Sequence, residues 1–142
     1  DQSSTIEAIS AIQNFINKHP YSQYSLEANK IIDELQVKLE TKNFNNAKQY
    51  YKTRNYKSAI IALDNFKNDF PDSSLNEEGG YLKILSQYLI SINSFEDLQE
   101  KRFKETIDYY LKFVDKYPNS PFLPEAEKMY VESLNLLTKF AE

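Results

Sequence analysis

The sequence contains no cysteine and no tryptophan, and only one histidine and two glycines occur among its 142 residues. Without cysteine there is no disulfide framework, no thiolate nucleophile and no cysteine-ligated zinc site. The single histidine, His19, has no second histidine or cysteine with which to form a metal site. Two glycines are too few for a turn-rich β fold or for a glycine-rich phosphate-binding loop.

Long hydrophobic runs and an excess of positive charge are also missing. No apolar stretch approaches the ~18 residues that indicate a membrane-spanning helix. The formal net charge of −4 opposes attraction to a phosphate backbone, so we predict no nucleic-acid partner. No catalytic motif is present, and neighbouring carboxylates such as Glu77 and Glu78 point in different directions on a helix. We therefore predict no enzyme, no cofactor and no metal.

Aromatic residues are abundant, with 11 tyrosines and 9 phenylalanines. This content excludes a disordered tail, because disordered segments have little apolar surface to bury. Three stretches share a pattern in which an aromatic residue or His19 precedes proline and serine follows two positions later. The residue before proline is pushed out of the α region and ends a helix, and the serine can cap the next one. The predicted stops and caps are Pro20, Ser22, Pro71, Ser73, Pro118 and Ser120.

Between these stops, apolar residues recur with the period of an α-helix. The sequence predicts an all-α fold, a superhelix of tetratricopeptide-like helical repeats with about six helices. We expect the helices near residues 4–18, 22–53, 56–69, 74–92, 98–116 and 120–140, with 24–52 as one unbroken helix. Gly79 and Gly80 fall inside the fourth helix, where they indicate either close helix packing or a flexible joint.

The middle repeat can be compared with the tetratricopeptide motif, in which small residues let two helices approach closely. The prolines are about 50 residues apart, against about 34 in a regular array, so these repeats are lengthened. We assign the extra residues between the first and second of these prolines to the long helix, and those between the second and third to a loop near 91–98. The residues predicted to pack the repeat are Ala47, Tyr50, Tyr56, Ala59, Leu63, Phe66 and Pro71.

The resulting organisation is one helical-repeat domain over 1–142, interpreted as a fragment. We expect it to comprise the second helix of a truncated repeat (4–20), a repeat with a long first helix (22–71), a repeat with the inserted loop (73–118) and a terminal helix (120–140).

Several segments resemble the C-terminal part of the BamD family, the tetratricopeptide lipoproteins of the outer-membrane β-barrel assembly machinery, also called YfiO or ComL. The likeness is to members of the Bacteroidetes type and runs from about Ile6 to Leu137. The segments that carry it are residues 11–16 (AIQNFI), 19–22 (HPYS), 28–35 (ANKIIDEL), 47–51 (AKQYY) and 70–73 (FPDS).

This resemblance implies a scaffold at the periplasmic face of the outer membrane, held there by an acylated N-terminal cysteine that lies outside this fragment. It implies binding to the periplasmic POTRA region of the barrel-forming subunit, BamA, and to other assembly-machinery lipoproteins. Unfolded outer-membrane proteins would be bound through the full-length protein. The alternative is another periplasmic tetratricopeptide module, a cell-envelope coordinator or a peptide-binding co-chaperone, although such a protein should keep the 34-residue period.

A partner surface is predicted on the third helix. With about 100° per residue, Ile61 lies about 200° from Ala59 and therefore opposite the buried stripe. The resemblance suggests that this face docks the POTRA region, although neither Ile61 nor Ala62 supplies the basic residue that family members often carry there. A lone exposed isoleucine, common on protein surfaces, is the alternative reading. The residues of this face are Lys57, Ile61, Asp64, Asn65 and Asn68.

Overall fold

A computed structural model describes residues 2–141, and the predicted limits at residues 1 and 142 lie outside that range. Within it there are six α-helices and no strand, which confirms the predicted all-α, tetratricopeptide-like fold. The helices are α1 (Gln2–Lys18), α2 (Ser25–Lys52), α3 (Tyr56–Asp69), α4 (Leu75–Ile92), α5 (Glu96–Lys116) and α6 (Leu123–Leu137), followed by a 3₁₀ turn at Thr138–Phe140.

The chain forms two compact units where the sequence predicted one domain. The N-terminal unit ends at Asn43 and the C-terminal unit begins at Phe44, so the division falls inside α2. That helix is continuous from Ser25 to Lys52, as its uninterrupted apolar row predicted. None of the described helices is apolar enough over a sufficient length to cross a bilayer.

In the C-terminal unit each helix from α3 onward packs against the next, and α4 also contacts α6. Contact between alternate helices is what stacked helix pairs produce, because each pair buries its apolar face against the following pair. One part of the core joins the end of α2 to α3 and α4, around Phe44 and Phe66, whose ring centroids are 5.4 Å apart. The other part joins α4, α5 and α6 around Ile84 and Phe113.

The predicted loop near 91–98 is much shorter than expected. α4 continues to Ile92 and α5 begins at Glu96, which leaves only residues 93–95 between them. Ser91 is fully buried, donates a 2.7 Å hydrogen bond from Oγ to the carbonyl of Gln87, and lies 3.3 Å from Thr106 Oγ1. The extra residues of this repeat therefore lengthen its helices instead of forming a loop.

The three proline turns share one hydrogen-bonding pattern. The residue before each proline donates its N–H to the carbonyl four residues earlier, and its own carbonyl accepts the N–H of the serine that follows the proline. The serine Oγ then accepts the N–H two residues further on, at 3.2 Å in every turn. The residues are His19, Pro20 and Ser22 in the first turn, Phe70, Pro71 and Ser73 in the second, and Tyr117, Pro118 and Ser120 in the third.

Each serine stands two or three residues before the first helical residue, so α2 and α6 begin three residues later than predicted, whereas α4 begins within one residue of its predicted start. The carbonyls of Ser22, Ser73 and Ser120 accept the N–H three residues later, so each closes a tight turn first. The helices consequently begin at Ser25, Leu75 and Leu123. In α6 the proline of the first helical turn is Pro124.

Candidate partner-binding surface

The predicted partner face lies on α3, which is anchored by its opposite side. Ala59, Leu63 and Phe66 are buried there, since the 3.6-residue period brings them onto one stripe. Ile61 points away from this stripe and is 62% exposed. Around it the side chains of Lys57, Asn65 and Asn68 are exposed as well. The structure thus brings together four of the five residues predicted for this surface.

Asp64, the fifth, belongs to a different environment. Its Oδ1 forms a 2.9 Å ion pair with Nζ of Lys83 on α4, and it is half-buried. The same ammonium group lies 4.2 Å from the ring centroid of Tyr109 on α5. Burial, followed by the nearby carboxylates of Glu105, Asp64 and Asp108, raises the pKa of the Tyr109 hydroxyl. Asp64 therefore connects α3 to α4 and α5 and is not a free rim residue of the Ile61 face.

The residues predicted to pack the repeat mostly do so. Ala47, Ala59, Leu63 and Phe66 are buried. Tyr56 is half-buried, with its ring centroid 5.9 Å from that of Tyr51, and Pro71 is exposed in its turn.

Tyr50 is the packing residue that the sequence misassigned. It is 46% exposed, whereas its neighbour Tyr51 packs against the core cluster. Tyr51 is four residues after Ala47 and seven after Phe44, so all three share one face of α2. Tyr50 matched the spacing of the repeat motif but falls on the edge of that face.

Two backbone features of this unit affect its packing, and only the second was anticipated from the sequence. Arg54, in the connection between α2 and α3, has φ 64°, a left-handed conformation that usually belongs to glycine or asparagine. Gly79 and Gly80 lie in the helical interior of α4, and a β-carbon at Gly80 would lie 2.9 Å from Cδ2 of Phe113. The glycine pair is therefore a place of close helix packing, the first of the two readings given above.

Metal-ligating side chains do not gather in groups of three or more anywhere in residues 2–141. His19 is exposed at the end of α1, and its ring centroid lies 5.2 Å from that of Phe15.

The family model of YfiO, described as outer membrane lipoprotein, matches residues 37–140. The chain belongs to the YfiO family. The match covers the end of α2 and all of α3 to α6, so the Ile61 face lies within it. Segments 11–16, 19–22 and 28–35, which also carried the resemblance to YfiO, precede the matched region. No curated protein matches the chain.

Proposed function

We propose that this YfiO-family chain is a non-catalytic scaffold of the outer-membrane β-barrel protein assembly machinery. In this role it binds the periplasmic POTRA region of the barrel-forming subunit through the outward face of α3 and assists the insertion of outer-membrane proteins. Membership of the YfiO outer membrane lipoprotein family supports a role at the outer membrane. The exposure of Ile61 on a helix that is otherwise well packed is the observation that supports the surface.

The physical argument rests on the arrangement of one apolar side chain within a polar surround. Binding energy at protein interfaces is concentrated in a few central residues, while polar neighbours exclude water and contribute little. Ile61 takes the central position, and Lys57, Asn65 and Asn68 surround it. Because the buried stripe on the other side holds α3 in place, little ordering of the backbone is needed when a partner docks.

The proposed location is the periplasmic face of the outer membrane, with a lipid attached to the N-terminus of the full-length protein as the anchor. Other lipoproteins of the machinery are further proposed partners, and unfolded outer-membrane proteins are proposed to bind through the full-length protein.

Ile61→Asp tests this surface, with Leu111→Asp as the matched control. Leu111 is 48% exposed on α5, so both changes put a carboxylate at an exposed apolar position. Calorimetry with the purified POTRA fragment of the barrel-forming subunit should show affinity lost by more than about 1 kcal/mol for Ile61→Asp only. Circular dichroism should match the parent for both variants. Unchanged affinity in Ile61→Asp would remove this face from the proposal.

A further inference from the structure

We propose that a hollow between α3, α4 and α5 binds an acidic segment of a partner protein, with one apolar side chain of that segment inserted into it. The hollow has a volume of about 110 Å³ and lies inside the C-terminal unit. It is separate from the outward face of α3 that carries Ile61, and the proposal does not depend on POTRA binding.

The floor of the hollow is apolar and depends on the two glycines. Gly79 and Gly80 line it together with Leu63 of α3 and Phe113 of α5. Since neither glycine has a β-carbon, the rings and methyl groups of the flanking helices come close to the backbone of α4. The hollow that remains between α3 and α5 has a volume of about 110 Å³, and it accepts a side chain from outside but not a flat surface.

The rim is strongly basic, although the chain as a whole is acidic. Four lysines and one carboxylate line the hollow, in a chain whose net charge is −4. The carboxylate of Asp64 is already paired with Lys83. Within residues 2–141, Lys112 pairs with Asp108 alone, one turn earlier on the same exposed surface of α5, an interaction of small energy. Lys67 and Lys116 form no ion pair with any residue of the described range.

The occupant follows from this combination of charge and shape. The two ammonium groups without an ion pair in the described range, Lys67 on α3 and Lys116 on α5, stand on helices that flank the same apolar floor. A segment with carboxylates on both sides of one leucine-sized side chain complements both features, and its charge also raises the rate of encounter. An anionic lipid surface would satisfy the lysines but leave the apolar floor unfilled, because a bilayer surface does not enter a space between two helices.

The two glycines make the site directly observable, because they are the only ones in the sequence and both line the hollow. In a ¹H–¹⁵N correlation spectrum of the whole ¹⁵N-labelled chain, their amide signals report on the hollow without an added reporter group. The probe is a synthetic 12-residue peptide with a central leucine, glutamates on both sides of it and alanine elsewhere. Two control peptides replace the glutamates by lysine or the leucine by serine.

We expect the acidic peptide to shift both glycine signals in a saturable manner, and each control peptide to bind at least tenfold more weakly. The double variant Lys67→Glu, Lys116→Glu should bind the acidic peptide at least tenfold more weakly than the parent. The affinity of the milder variant Lys67→Gln, Lys116→Gln should lie between those of the parent and the charge-reversed variant. This milder variant keeps the test valid if charge reversal impairs folding. The matched control is Lys101→Glu, Lys128→Glu, which changes the net charge equally at exposed positions that do not line the hollow and should bind like the parent.

Three results would overturn the proposal. The first is a titration in which the acidic peptide leaves both glycine signals in place. The second is an equal loss of affinity in the Lys67/Lys116 and Lys101/Lys128 variants, which would show a nonspecific charge effect. The third is sedimentation with vesicles containing phosphatidylglycerol that depends on Lys67 and Lys116 while the peptide fails to bind, which would assign the lysines to a lipid surface.

Discussion

Gly80 on α4 and Phe113 on α5 pack so closely that a β-carbon at position 80 would lie 2.9 Å from Cδ2 of the ring. One residue earlier, a β-carbon at Gly79 would meet its nearest neighbours, Phe44 and Leu63, at 3.5 and 3.6 Å, which is ordinary contact. The two glycines therefore differ in function although they are adjacent. Gly80 is required by the approach of α5, whereas the neighbours of Gly79 leave room for a methyl group.

Alanine substitutions should separate the two glycines. In Gly79→Ala the gain in helix propensity, about 1 kcal/mol, should appear as added stability, because the methyl group fits. In Gly80→Ala the same gain is outweighed by overpacking against the buried ring of Phe113, which typically costs about 1–3 kcal/mol. Urea unfolding followed by circular dichroism should thus give a higher free energy of unfolding for Gly79→Ala than for the parent, and a lower one for Gly80→Ala. Equal effects of the two substitutions would contradict this assignment.

A second prediction concerns Arg54. The N–H of Asn55 donates to the carbonyl of Tyr50 at 2.8 Å, and that of Arg54 donates to the carbonyl of Tyr51 at 3.0 Å. This is the Schellman pattern, in which the left-handed residue is usually glycine. A left-handed conformation costs a residue with a side chain about 1–2 kcal/mol, and part of that is returned by the larger unfolded-state entropy of glycine.

Arg54→Gly should consequently raise the free energy of unfolding by about 0.5–1 kcal/mol. Arg54→Ala is the control, since it removes the side chain but keeps the strained backbone, and its stability should equal that of the parent. If both variants gained stability equally, the arginine side chain and not the backbone conformation would be responsible.

Most of the fold was predictable because its signals are local. The residues before Pro20, Pro71 and Pro118 are pushed out of the α region and each follows the end of a helix, and the 3.6-residue period gives each helix its buried side. The loop near 91–98 was predicted from turn-forming residues such as Ser91 and Asn93. It is shorter because Ser91 is held in the helix by Gln87 and faces Thr106 of α5, a contact between residues distant in sequence.

The candidate surface was predictable to the same extent. The exposure of Ile61 follows from its angle to Ala59 within one helix. The pairing of Asp64 with Lys83 joins two helices, and no spacing within α3 indicates it. The basic hollow likewise collects lysines from three helices, so the sequence alone gave no reason to group Lys67 with Lys116.

A third prediction uses two buried serines. The Oγ atoms of Ser86 and Ser133 are buried and have no hydrogen-bond partner within the described residues. A buried hydroxyl without a partner costs about 1–3 kcal/mol, so Ser86→Ala and Ser133→Ala should each stabilise the protein by about 1 kcal/mol. Ser91→Ala on the same helix as Ser86 should instead destabilise it by about 1 kcal/mol, since that hydroxyl is hydrogen-bonded. In thermal unfolding, the midpoint temperature should rise above that of the parent for Ser86→Ala and Ser133→Ala and fall below it for Ser91→Ala.

The last prediction concerns alkaline pH and the contact between α4 and α6. Burial, followed by a hydrogen bond to Glu132 and the charge of that carboxylate, raises the pKa of Tyr88 from 10.0 to about 12. A raised pKa means that the folded state holds this proton more tightly than the unfolded state. The stabilisation is therefore complete below pH 10 and decreases as the pH rises from about 10 towards 12.

Tyr88→Phe removes the titrating group, so the stability difference between parent and variant should shrink over that interval. Tyr21→Phe is the control, because Tyr21 is 99% exposed and its replacement should leave the pH dependence unchanged. A parent and a Tyr88→Phe variant whose unfolding free energies, measured in urea at successive pH values, stay parallel up to pH 12 would contradict the assigned contact.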